Sequence, residues 1–84
     1  MRLTLIQRDE CELCDLAWER LAQAGVPGFD PLWIDGDLGL EARYGARVPV
    51  LRREDTGAEL DWPFDAAAVR AFLGPRPPGL TAPA

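Results

Sequence analysis

The chain has 84 residues, enough for one domain, and 48% of them are hydrophobic, which excludes an extended disordered protein. Its formal charge is −5, with nine arginines and neither lysine nor histidine. That composition excludes a basic nucleic-acid surface, histidine-assisted nucleophiles and histidine-ligated metal sites.

The opening "MRLTLIQRDE" lacks an apolar run long enough for a signal peptide, and no segment approaches the ~20 apolar residues of a membrane span. The expected protein is cytoplasmic and monomeric, with no membrane or nucleic-acid partner. Residues 2–7, "RLTLIQ", form a short apolar run with β-branched members and predict a strand. From Glu12 the period changes: Leu13, Leu16, Ala17, Leu21 and Ala24 recur at helical spacing, and Gly25 with Pro27 ends the run. Residues 29–35, "FDPLWID", predict a second strand, and Pro31, which cannot donate a ladder hydrogen bond, places it at a sheet edge. Asp37 caps a short helix over Leu38–Tyr44 that ends at Gly45.

Residues 48–53, "VPVLRR", predict a third strand, "EDTG" a turn, and 58–62 a half-exposed fourth strand with Ala58, Leu60 and Trp62 on one side and Glu59 and Asp61 on the other. Asp65 caps a last helix, "AAAVRAFL", closed by Gly74 and Pro75. The domain therefore spans 1–74, followed by a flexible tail over 75–84. The order βαβαββα requires a parallel right-handed first βαβ unit and an antiparallel hairpin across "EDTG". The fold class is α/β: a four-stranded mixed sheet with the first and third strands central and helices on both faces, the minimal thioredoxin-like architecture.

Both cysteines, Cys11 and Cys14, lie in "QRDECELCDL" at the junction of the first strand and first helix. Cys11 falls beside the unpaired N–H groups and positive pole of the helix, which favour a thiolate, so it is the candidate nucleophile. Cys14 is one turn on and more buried, placed to form a short-range disulfide or to resolve a mixed disulfide on Cys11. Free cysteine also serves as a small apolar residue of an amphipathic helix. The strand-to-helix position favours redox chemistry over that role.

A second signal is "RVPV", 47–50, since proline is rare in a central strand. A cis Val48–Pro49 bond at the strand's start places the ring beside the cysteines and leaves the Val48 backbone free to pair with an extended chain.

Cys11-x-x-Cys14 after the first strand, "YGARVPVL" leading into the third, and the element order resemble the glutaredoxins of the thioredoxin superfamily, in particular small bacterial glutaredoxin-like proteins with a C-x-L-C motif. The resemblance covers about residues 2–73. It implies that Cys11 attacks and Cys14 resolves, that Arg8 stands where a lysine holds the glutathione carboxylate, and that Val48 and Pro49 supply the backbone that binds the glutathione cysteine. It also places Phe64 and Asp65 at the start of the last helix beneath the site. Glutathione is then a co-substrate, and no cofactor is tightly bound. Thioredoxin matches less well: its buried aspartate is Leu5 here, and its tryptophan before the first cysteine is Glu10.

The chain departs from the glutaredoxin pattern in having Glu12 and Leu13 between the cysteines and "DWPFD", 61–65, in place of a glycine pair, so that Trp62 and Pro63 crowd the glutathione approach. Asp9, Glu10, Glu12 and Asp15 surround the pair, with Arg8 and Arg47 as the nearby cations. Such carboxylates suit the first turn of a helix, yet they oppose a thiolate on Cys11 and repel anionic glutathione. The expected activity is thiol–disulfide exchange with a disulfide-containing protein favoured over glutathione. Two alternatives use the same residues. A metal or iron–sulfur carrier would need a second chain, glutathione or carboxylates to complete a site with two sulfurs. A non-catalytic peptide-binding module would use the groove by Val48, with Trp62 and Phe64 near it. Trp18, Trp33, Phe29 and Phe72 are assigned to packing.

Overall fold

A computed structural model describes residues 2–26 and 28–74. The elements are β1 (Leu3–Gln7), α1 (Glu12–Gln23), β2 (Asp30–Trp33), α2 (Leu38–Tyr44), β3 (Val50–Arg53), β4 (Glu59–Asp61) and α3 (Ala66–Leu73). The sheet order is β2-β1-β3-β4, with β1 parallel to β2 and antiparallel to β3, and β4 antiparallel to β3. The strand containing Pro31 is therefore at an edge and β1 and β3 are central, as the sequence predicts. The tail over 75–84 lies outside the described residues.

Local chemistry sets the element ends. Asp37 Oδ1 accepts the Leu40 N–H at 3.0 Å, and Asp65 Oδ1 accepts the Ala68 N–H at 2.7 Å, each satisfying a donor that an opening helix leaves unpaired. Past α1, Gly25 takes φ 79°, a conformation that costs a glycine little. β3 begins at Val50 rather than at 48, because Pro49 has no N–H to give and its carbonyl accepts the Trp62 N–H at 3.2 Å.

Every residue of β1 is buried, as a strand covered on both faces requires. Leu3 and Leu5 share one core with Ala17 and Leu21 of α1, Leu51 of β3, and Phe64 and Val69. Ile6 points the other way and packs with Ile34, Tyr44 and Val50 beneath α2. Thus α1 and α3 cover one face and α2 the other. Leu5 and Ile6 are both fully buried, on opposite faces, and each contributes roughly 1.5–3 kcal/mol of apolar burial.

The fourth strand corrects one expectation. Glu59 is not a solvated position: Tyr44 Oη donates to its Oε2 at 2.5 Å and Arg47 Nη2 to its Oε1 at 2.7 Å. Period 2 turns Glu59 toward α2, where a buried phenol needs an acceptor, while Leu60 turns to the larger core.

The registers also align one end of the sheet. Trp33 pairs with Gln7, the antiparallel register carries Pro49 opposite Gln7, and Trp62 lies opposite Pro49. The loop bearing the cysteines leaves from this row.

Candidate redox site

Cys11 is the N-cap of α1, with extended backbone (φ −119°, ψ 108°), and its Sγ accepts the Cys14 N–H at 3.1 Å. The sulfur therefore occupies the place where a serine or aspartate oxygen usually caps a helix, and the same N–H stabilises negative charge there. Cys14 is one turn along, its Cα 5.2 Å from that of Cys11, and the two are joined as a disulfide. Cys11 is half-buried and Cys14 only 1% exposed, so the two sulfurs differ in access as the sequence predicts.

Immediately before the cap, Glu10 takes φ 50°, which turns the chain from β1 into α1. Asp9 anchors the same loop by donating its N–H to Asp35 Oδ2 at 2.9 Å. Asp9, Glu10, Glu12, Asp15 and Asp35 are all exposed. The nearby cations Arg8 and Arg47 are engaged elsewhere. Arg8 donates to Glu41 Oε1 at 2.9 Å and to the Gly45 carbonyl at 3.2 Å, tying the cysteine loop to α2. Arg47 donates to Glu59 and, through Nε and Nη2, to both carboxylate oxygens of Asp61 at 3.1 and 2.8 Å. Hydrogen bonds that Arg47 donates to Asp61 and Glu59 hold its guanidinium well above its ordinary pKa.

The Val48–Pro49 bond is cis, and Pro49 is buried at the end of the sheet. The Val48 backbone is only partly available, which corrects the expectation that it is free. Its N–H donates to the Tyr44 carbonyl at 3.0 Å, because the segment continues the last turn of α2 before entering β3. A second cis bond, Trp62–Pro63, carries the chain from β4 toward α3, and the Trp62 and Phe64 rings meet edge to face with centroids 5.0 Å apart. Phe64 is buried in the core, and the Asp65 carboxylate caps α3. The sequence-selected residues thus fall into separate places. Cys11, Cys14 and Arg8 border one cleft; Phe64 and Asp65 border a groove with Arg20, Trp62, Pro63 and Ala68; Val48 and Pro49 border neither. Among the described residues no three His, Cys, Asp or Glu side chains converge to hold a metal ion.

Three residues of the cleft escaped the sequence reading. Trp18 and Trp33 are 46% and 49% exposed and flank the cysteines. Their assignment to packing holds for Trp18 against Phe29, where the rings meet edge to face at 4.8 Å, but not for its outer part or for Trp33. Gln7 is buried between them, its Oε1 accepting the Trp18 Nε1–H at 2.9 Å. The signal for Trp18 was its place four residues after Cys14, on the same helical face.

The Glutaredoxin-like domain family (DUF836) matches residues 2–74. The chain belongs to this family. A structural-genomics target protein of X. campestris, XcR50, is 57% identical; its X-ray structure superposes with a TM-score of 0.83, covering 89% of this chain and 99% of that one. The solution structure of the same protein gives a TM-score of 0.82 over 92% and 97% of the two chains. Protein Ne2328 of Nitrosomonas europaea, solved by NMR, is 29% identical with a TM-score of 0.65, covering 84% of this chain and 88% of that one. No curated protein matches. Membership in this glutaredoxin-like family and the Cys11–Cys14 pair both fit a redox function.

Proposed function

We propose that the protein is a thiol–disulfide oxidoreductase that reduces a protein disulfide in preference to glutathione mixed disulfides. The observation that carries this reading is the helix-capping Cys11 sulfur, half-accessible and joined to a buried Cys14 one turn away. In the reduced chain the Cys11 thiolate attacks one sulfur of the substrate disulfide, forming a mixed disulfide and releasing the other sulfur as a thiolate. Cys14, deprotonated, then attacks Cys11 Sγ, which frees the second substrate thiol and leaves the Cys11–Cys14 disulfide described above. Two electrons have passed to the substrate, and a dithiol or glutathione-class reductant returns them.

The preference for protein rests on charge. Exposed Asp9, Glu10 and Asp15 line the cleft beside the pair, while Arg8 and Arg47 are committed to protein acceptors. An anionic tripeptide meets repulsion at such a mouth, whereas a polypeptide gains contacts beyond the reacting sulfur.

The test is to replace Cys14 by serine in the full chain, so that the mixed disulfide on Cys11 is not resolved. Exposed to a cell extract and separated without reductant, Cys14→Ser should carry a covalently attached protein, and Cys11→Ser should carry none. Glutathione alone on Cys11 would reverse the preference. An empty Cys11 would favour the peptide-binding module instead.

A further inference from the structure

The cleft on the β2 side of the disulfide is not used by the exchange chemistry itself. Cys11 and Cys14 form part of its wall, Trp18 and Trp33 flank it, and Gln7 closes its inner side. Asp9, Trp33 and Asp35 also line a neighbouring hollow, so the two continue along β2. Gln7 gives the cleft a second, independent mark. The Trp18 indole N–H can only donate, so it fixes Gln7 Oε1 toward itself and turns Nε2 away. That Nε2 is buried with no hydrogen-bond partner, in a residue that is 2% exposed. A buried donor left unpaired is costly, and a group that brings an acceptor relieves the cost.

We propose that this cleft is the subsite for the polypeptide flanking the target cysteine, and that it selects a lysine or arginine next to that cysteine. The inference rests on the oxidoreductase reading and adds what the substrate must look like. The aliphatic stem and cationic head of such a side chain lie against the tryptophan faces, where a cation is attracted by the ring electrons. The head is met by Asp9 and Asp35, both exposed and joined only through the Asp9 N–H. A peptide carbonyl that displaces the side chains now covering Gln7 Nε2 supplies the acceptor this buried amide lacks. Among the described residues an anionic neighbour finds no free cation lining the cleft, because Arg8 is held by Glu41 and the Gly45 carbonyl.

The experiment uses short synthetic peptides, each a disulfide-linked dimer through one cysteine that is flanked by lysine, glutamine or glutamate. The full chain, reduced and freed of reductant, is mixed with each, and release of peptide thiol is followed. Every rate is divided by that of dithiothreitol with the same peptide, which removes the disulfide's own reactivity. The lysine peptide should react about tenfold faster than the glutamate peptide, with glutamine between. Trp33→Ala should bring that ratio down to about threefold or less, although it changes no charge. Trp33→Leu keeps apolar bulk in the edge strand and should do the same, which guards against a merely unfolded variant. Equal rates for the lysine and glutamate peptides overturn the subsite while leaving the oxidoreductase reading intact. So does a ratio that survives both Trp33 variants, since it then comes from the overall charge. Failure to reduce even the glutamine peptide removes the oxidoreductase reading, and the subsite with it.

Discussion

At the scale of single residues, Glu10 is where the loop and the chemistry meet. Its φ of 50° lies in the left-handed region, which costs an ordinary L-residue roughly 1–2 kcal/mol and asparagine less. Its carboxylate adjoins the helix-capping sulfur and opposes the thiolate there. Glu10→Asn should therefore stabilise the fold by a few tenths to about 1 kcal/mol in denaturant unfolding. It should also speed alkylation of Cys11 by iodoacetamide at neutral pH. Unchanged alkylation would mean that the local carboxylates do not govern the sulfur. Trp18 makes a second case. Replacing it by phenylalanine keeps an aromatic ring against Phe29 but removes the donor to Gln7, leaving both ends of a buried amide unpaired. Trp18→Phe should lower stability by about 1–3 kcal/mol, read from the shift in urea midpoint at constant slope.

At the scale of elements, the segment between α2 and β3 is held to β4 by Arg47, whose guanidinium lies 5.1 Å from the centre of the Tyr44 ring while donating to Glu59 and Asp61. Its hydrogen bond holds the Asp61 carboxyl below the usual range against a smaller opposing effect of burial. Burial pushes Glu59 up, but hydrogen bonds from Tyr44 and Arg47 outweigh it and the net direction is down. Carboxyls depressed by folding contribute stability above their unfolded values, about 4, and lose it as pH falls through the folded values. Arg47→Gln should thus lower Tm at pH 7, with the deficit shrinking as pH drops below about 4; calorimetry across that range measures it. A deficit that stays constant to pH 3 would assign Arg47 a packing role only. This clamp also shows what the sequence concealed. The bounds of α2 and α3 were legible because Asp37, Gly45, Asp65 and Gly74 are local signals that act within one turn. Cys11, Cys14 and the cis Val48–Pro49 bond were legible because their chemistry follows from position at an element's start. The pairing of Arg47 with β4 depends on register across the sheet, and so does the meeting of Gln7 with Trp33. No local pattern reports either.

At the scale of the whole molecule, charge is the property that acts before any contact forms. The chain carries a formal charge of −5, and exposed carboxylates crowd the one end of the sheet where the disulfide lies. Arg8 and Arg47, the cations nearest that end, are each bonded to carboxylates of the same protein and do little to reverse the local field. A field of this sign slows approach of an anionic disulfide and hastens a cationic one, and salt weakens both effects as the screening length contracts from roughly 20–30 Å to a few ångströms. Small symmetrical disulfides isolate this effect because they are too short to fill a peptide subsite. Oxidation of the reduced chain by cystamine, a dication, should therefore slow as salt rises from about 10 mM to about 1 M. Oxidation by glutathione disulfide, a net anion, should accelerate over the same interval. The two rates, each divided by the rate with dithiothreitol, should converge at the highest salt. Parallel salt responses would place the discrimination wholly in short-range contacts at the cleft, and would remove the exposed carboxylates from any part in choosing the substrate.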